Sequence, residues 1–233
     1  MVNKFQYTFT LLVMFISMFV AAQETQIQDS DNERIRGTRF IPYPTYSGSP
    51  FLNDKFIAGE IEFNDGTRQA NIILNYGMYR DELIYYNAAI STQIVIDKRS
   101  LNGFSFTDKK GKTRTFRKLF YNGSFQGDCF FELLSEGKIS LLAYRKVNLE
   151  TCDTYNSKTG MSYQPSFTYF LYSPEKGYAP VNLTRNSLLS KFSKTNQKVI
   201  RKTLRKNGVY ISDETSFVQA WNLISDNSIQ PEL

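Results

Sequence analysis

Ile57, Gly59, Ile61 and Phe63 alternate with Ala58, Glu60, Glu62 and Asn64, the two-residue period of a half-buried strand. Asn64-Asp65-Gly66 follows, and Asp-Gly tolerates the positive backbone angles of a tight hairpin turn. Ala70, Ile72, Leu74 and Tyr76 then alternate with Asn71, Ile73 and Asn75 on a return strand. A break at Gly77 to Asp81 precedes a third strand, Leu83 to Tyr86, so the region reads as a β-meander. Further strands are predicted over Ser91–Asp97, around Phe104 and Phe106, and over Thr113–Tyr121. Cys129–Ser135 and Ile139–Leu149 form a long hairpin about Glu136-Gly137-Lys138, in which Arg145 interrupts an apolar face of Ile139, Leu141, Ala143, Val147 and Leu149. Glu150–Gln164 is polar and aperiodic, the pattern of a surface loop. Phe167–Tyr172 and Tyr178–Leu183 flank Ser173-Pro174-Glu175-Lys176-Gly177, with Pro near the start of the turn and Gly at its end. About ten short strands with no helix between them argue for an antiparallel sheet.

The period changes at Thr184, which is placed to cap a helix carrying Leu188, Leu189 and Phe192. Thr195 is the expected cap of a second helix, with Val199, Ile200 and Leu204 facing the protein and Asn207-Gly208 as its stop. Ser212 or Asp213 caps a third, whose stripe is Phe217, Val218, Trp221 and Ile224, with Leu223 at its edge. The predicted fold is mainly β with a C-terminal α element: an antiparallel meander or partly closed curved sheet with two or three terminal helices. Residues 40–183 make the β domain and 184–233 the helical element packed on it.

The N-terminus changes the picture of where the chain resides. Lys4, the apolar run Thr8–Val20 and the small residues Ala21-Ala22 have the form of an export signal over residues 1–22. The apolar run is short of the roughly 20 residues that span a bilayer, and no later stretch could cross one. The expected location is periplasmic, outer-membrane associated or extracellular. Residues 23–39 read as a flexible leader. Asp29, Asp31 and Glu33 have the alternating spacing that opens a calcium loop, without the Gly and distal Glu that complete one, so no metal site is expected. Phe40–Pro50, with three prolines and three aromatics, reads as an extended arm lying over the sheet.

His is absent from the 233 residues, which excludes Ser-His-Asp and Cys-His nucleophile systems and His-ligated zinc. Phosphate-cradling Gly-rich loops are also missing, and no cofactor is expected. Cys129 and Cys152 are the only cysteines and form a candidate disulfide in an oxidising compartment; two buried thiols are the alternative. A hairpin at Glu136-Gly137 would set Cys129 opposite a residue near Arg145, several positions short of Cys152. Ser135…Lys138 and Ser173…Lys176 have S-x-x-K spacing but fall in predicted turns, where turn composition explains them.

The net charge is +6, and Arg185–Lys206 holds eight basic residues and no acid. Lys198, Arg201, Lys202 and Arg205 lie three or four apart and share one helical face. They are the candidate anion-binding residues, and the expected partner is an anionic lipid, a glycan or another envelope protein; nucleic acid does not fit an exported chain. The structural reading is a solvated helix face. The acids Glu60 and Glu62, Asp81 and Glu82, and Asp128 and Glu132 are candidates for paired-carboxylate chemistry, against the simpler reading of exposed strand acids.

The signal ending A-A-Q, G-S-P-F-L-N-D-K-F at Gly48–Phe56, the Asn64-Asp65-Gly66 hairpin and Leu74-Asn75-Tyr76…Tyr79-Arg80-Asp81-Glu82-Leu83 together resemble a group of exported proteins of Gram-negative bacteria. The resemblance is clearest over residues 48–86 and looser at the C-terminal helices. It implies an exported β-rich protein and carries over no catalytic residue. The expected function is therefore non-catalytic binding, or a structural role, in the cell envelope. The alternative is a carboxylate-dependent hydrolase of envelope polysaccharide.

Overall fold

The computed structural model describes residues 35–107, 111–124, 126–153, 160–226, 229 and 231. The export signal, most of the leader and the Asp29–Glu33 spacing lie outside them. β2 (Ile57–Phe63) and β3 (Arg68–Gly77) form the hairpin about Asn64-Asp65-Gly66. Gly66 has φ 79°, its N–H bonds the Phe63 carbonyl, and Asp65 accepts from the Thr67 N–H at 2.9 Å. Asn71 sits at φ 60° where the register shifts between Gly59 and Ile61. It is the extra residue of a β-bulge, and Asn tolerates this left-handed conformation better than most side chains.

The remaining strands are β1 (Gly37–Arg39), β4 (Glu82–Asn87), β5 (Thr92–Ile96), β6 (Leu101–Thr107), β7 (Thr113–Asn122), β8 (Gln126–Ser135), β9 (Ser140–Thr151), β10 (Met161–Ser173) and β11 (Gly177–Val181). One antiparallel sheet of eleven strands has the order β1-β5-β4-β3-β2-β6-β7-β8-β9-β10-β11. It is open and strongly curved. Two expectations are corrected. The leader is not unstructured to residue 39, because Gly37–Arg39 pairs with β5 and Ile35 is buried. The surface loop of 150–164 is shorter than its polarity implied: β9 runs to Thr151 and β10 starts at Met161, with the Ser162–Gln164 backbone paired to β9.

The curvature brings distant strands together. β8 and β9 stay paired as far as Phe131 and Tyr144, and the β3–β4 turn then enters between them. Asp81 accepts from the Phe130 N–H at 3.4 Å, Met78 O accepts from Val147 N–H at 3.4 Å, and Lys146 Nζ donates to Tyr79 O at 2.7 Å. The wedge supplies partners to strand groups that would otherwise be buried without one. The arm follows the expected course: Phe40, Tyr43, Phe51, Tyr79 and Tyr163 form a chain of ring contacts. Leu52 N–H bonds Tyr76 O and Tyr163 N–H bonds Ser47 O.

One face of the sheet holds an aromatic core in which Tyr76, Phe104, Phe116 and Phe130 meet at ring-centre distances of 4.6 to 6.2 Å. On β9–β11 the same face carries Leu141, Leu171 and Val181 against three helices, α1 (Arg185–Leu189), α2 (Lys194–Lys206) and α3 (Glu214–Asp226). Alternate residues Phe131, Leu142 and Phe170 pack on the opposite face. Thr184 caps α1 through the Ser187 N–H, and α2 ends at Gly208 with φ 65°, both as expected. Ser193, not Thr195, caps α2, accepting from the Asn196 N–H at 3.3 Å. Both residues precede the apolar period, and the chain turns into the helix two residues earlier than the pattern indicated.

Candidate functional site

The strand register builds a polar groove. Glu60 faces Ser105, and Ser105 faces Thr115, in one row across β2, β6 and β7. In the next row Glu62 faces Gly103, and Gly103 faces Arg117. A Cβ at Gly103 would collide with the Phe116 carbonyl, so close strand approach requires glycine there. With no side chain in the middle of the row, Arg117 reaches across two strand spacings to Glu62, Nη1 to Oε1 at 3.1 Å. The space left over Gly103 is a groove of about 350 Å³, also bordered by Arg68, Thr113 and Glu136. Phe104 and Phe116 contribute to its floor while their rings are buried on the other face.

Glu62 accepts from Asn102 and Arg117, and from Arg68 Nη2 at 2.9 Å. Partial burial pushes its carboxyl up, but these donors outweigh that and hold it below the usual carboxylate range. Glu60 has one long contact, 3.4 Å from Arg68 Nη1, between two exposed side chains. Glu60 and Glu62 do share a face, as their spacing predicts. Gly103 and Arg117, which make the groove, carry no local signal; only the register brings them there.

The expectation that the other acids are exposed strand residues is corrected for two of them. Asp81, 5% exposed, takes the Tyr76 hydroxyl at 2.5 Å and Lys98 Nζ at 2.7 Å. Desolvation pushes its carboxyl up, against the lowering pull of Lys98 and Tyr76. Glu132, 4% exposed, binds Arg114 Nε at 2.7 Å and Arg145 Nε at 2.5 Å. Arg145, also 4% exposed, continues to Glu214 at the start of α3 through two bonds of 2.7 and 2.8 Å, and Tyr169 donates to the same carboxylate. Burial alone would raise the Glu214 carboxyl, yet Arg145 and Tyr169 hold it below its ordinary range. The one sequence signal for this network was a charged residue interrupting the apolar face of β9. The acids thus fall into separate groups: Asp81 and Glu132 are each sealed in their own ion cluster, and Glu82 accepts from Tyr43 at 3.0 Å.

Lys198, Arg201, Lys202 and Arg205 are exposed on α2, and Ile200 and Leu204 are buried beneath them. Val199 does not face the protein: it is 48% exposed. At 100° per residue it lies at the margin of the cationic face, away from the line through Ile200 and Leu204. Lys194 and Lys206 are exposed as well, and among the described residues none of these six cations pairs with an acid.

Cys129 and Cys152 are both free thiols, which corrects the expected bridge. Phe131 faces Tyr144, so the ladder aims Cys129 at the level of Lys146. Cys152 lies six residues further on, about 20 Å at strand rise. Burial pushes the Cys129 thiol up to about 11. In the two S-x-x-K stretches, Ser173 Oγ accepts from the Lys176 N–H, which is turn chemistry, while Ser135 Oγ donates to Asn222 on α3, a tertiary contact.

Fold and surface define a mainly β protein, an open curved antiparallel sheet covered at one end by three helices, with a polar groove and a cationic helix face. Comparison with family models, curated proteins and solved structures finds no match to this chain.

Proposed function

We propose that this chain is a non-catalytic exported protein of the cell envelope, periplasmic or outer-membrane associated, that binds an anionic surface through α2. The observation that carries this reading is the row of six exposed cations on one helix face, none of them paired with an acid among the described residues. The buried and half-buried acids Glu62, Asp81, Glu132 and Glu214 all have cationic partners. Leaving α2 unneutralised has a small cost in mutual repulsion, and an anionic partner relieves it. Each Lys or Arg near an anionic membrane surface adds about 1 kcal/mol of attraction, screened over about 8 Å at physiological salt. The export signal and the resemblance over residues 48–86 support the compartment.

The competing reading is a carboxylate-dependent hydrolase, favoured by the meeting of Glu60, Glu62 and Glu136 at one groove. Glu62 is held ionised by its three donors, and such hydrolysis requires one carboxyl to be a proton donor. Glu60 stands partly in solvent, 3.4 Å from an exposed Arg68, and among the described residues no enclosed cleft sets it across a substrate from Glu62.

The test replaces Lys198, Arg201, Lys202 and Arg205 together by Gln. Retention is measured on phosphatidylglycerol-containing vesicles and on an acidic polysaccharide at low and moderate salt. The wild-type protein is expected to be retained at low salt and released as salt rises, and the variant to pass through. The two supports separate a lipid headgroup from a glycan. Equal retention of both proteins on both supports would remove the proposal.

A further inference from the structure

We propose that the groove over Gly103 is a binding site for a small zwitterion of the amino-acid or short-peptide class, its ammonium group received by Glu60 and its carboxylate by Arg117. This site is independent of α2. Three observations converge on it.

The first is charge. Glu60, Glu62 and Glu136 face Arg68 and Arg117 around the groove, so the lining has one more acid than base. Glu62 is occupied by Asn102, Arg117 and Arg68. Glu60 has only the 3.4 Å contact with an exposed Arg68, an interaction worth little in water. Glu60 is therefore the acceptor open to a ligand cation. Arg117 uses Nη1 for Glu62, and a guanidinium has five N–H donors in all, so it keeps donors for an incoming carboxylate.

The second is spacing. Glu60 and Arg117 are two strands apart and one row out of line. Two strand spacings of about 4.8 Å and two residues of about 3.3 Å put their backbones roughly 12 Å apart. An extended tripeptide is about 10 Å long, an upper bound on the span a short peptide bridges, and Arg117 reaches across Gly103 to the β2 side, which brings the two charged ends closer than their backbones. Ser105 and Thr115 lie between them in the Glu60 row and offer hydroxyls to peptide N–H and C=O groups.

The third is what the groove lacks. Phe104 and Phe116 turn their rings into the core, so no aromatic platform faces a sugar ring or a nucleobase. Single-sign anions meet Glu62 head-on. The volume of about 350 Å³ is at the lower end of the range for small-ligand sites.

The probe is trialanine, titrated at millimolar concentrations into the ¹⁵N-labelled protein. The amide signals of Gly103, Ser105 and Thr115 are expected to shift saturably. Acetylating the peptide amine should weaken binding about tenfold, the cost of one charge-assisted bond. Glu60→Gln should weaken trialanine binding to a similar degree, and on that variant acetylation should cost nothing more. Amidating the carboxylate should likewise weaken binding to wild type and have little effect on Arg117→Gln. If Arg117→Gln does not fold, the Glu60 pair of measurements still decides. The α2 Gln variant should bind trialanine as wild type does. The proposal is overturned if trialanine leaves the groove amides unmoved, if acetyl-trialanine or the neutral sugar maltose shifts them equally, or if acetylation weakens binding to Glu60→Gln as much as to wild type.

Discussion

Arg145 shows what one charged side chain does inside a sheet. It stands on a face otherwise made of Leu141, Ala143 and Val147, where an unpaired charge would be expelled. It stays because Glu132 and Glu214 take its guanidinium from two sides and Phe167 stacks against it, 4.9 Å from its ring centre. The pairing is a condition of burial more than a source of stability, since a well-packed apolar trio would do as well. Removing one member is a different matter. Arg145→Met should lower unfolding free energy by about 3–5 kcal/mol, because Glu132 and Glu214 both lose a partner. The measure is the denaturant midpoint at neutral pH; a change within about 0.5 kcal/mol would contradict the account. Asp81 has the same logic with an added backbone cost, its φ being 57°. It adopts that angle where it accepts from Tyr76, Lys98 and the Phe130 N–H at once.

Among elements, α2 separates its two faces cleanly. Ile200 and Leu204 are buried in the apolar cluster shared with α1, α3 and β9–β11, and the cations stand on the exposed side. Such a helix depends on its ends, because eight like charges in and near it give no internal ion pair. Its N-terminal N–H groups are met by Ser193, and its C-terminal carbonyls by the turn through Gly208, with Val209 N–H on Leu204 O at 3.0 Å. Ser193→Ala should cost about 1 kcal/mol in stability, while Thr195→Ala should stay within about 0.5 kcal/mol. Thermal unfolding of the two variants side by side checks this; a larger loss from Thr195→Ala would return the cap to the position the sequence pattern indicated.

At the scale of the whole molecule, two long-range joints hold the curved sheet in shape. One is the wedge of the β3–β4 turn between β8 and β9. The other is Glu214, which ties α3 to Arg145 and Tyr169. The second joint is acid-sensitive. The folded Glu214 carboxyl lies below its ordinary range, so its stabilisation is complete above the unfolded value of about 4.3 and is lost as pH falls through the folded value. Asp81 has the opposite sign: its raised carboxyl disfavours the folded state as pH rises past the unfolded value, and protonation relieves that. Because Glu62 as well as Glu214 is held below its ordinary range, against the opposite pull of Asp81, unfolding temperature should fall from pH 5 toward pH 3, and Glu214→Gln should flatten the fall while lowering stability at pH 7. An unchanged slope in that variant would show that other carboxylates control acid stability.

Local pattern was enough for much of this protein. Alternation placed β2, β3 and β4, Asn64-Asp65-Gly66 placed their first turn, and helical spacing placed α1, α2 and the buried Phe217, Trp221 and Ile224 of α3. These signals are legible because each depends on neighbours within a few residues, through turn geometry and one-sided burial. The cationic face of α2 was legible for the same reason, since helical spacing alone put Lys198, Arg201, Lys202 and Arg205 on one side. The groove, the Arg145 network, the wedge at Asp81 and the separation of Cys129 from Cys152 were decided only by register and curvature. Glu62 meets Arg117 across Gly103 because three strands align at that level, and Asp81 meets Phe130 because the sheet bends β3 and β4 back onto β8. An acid on a strand is exposed or buried according to what lies across from it, and a one-residue slip in pairing would reverse the face it occupies.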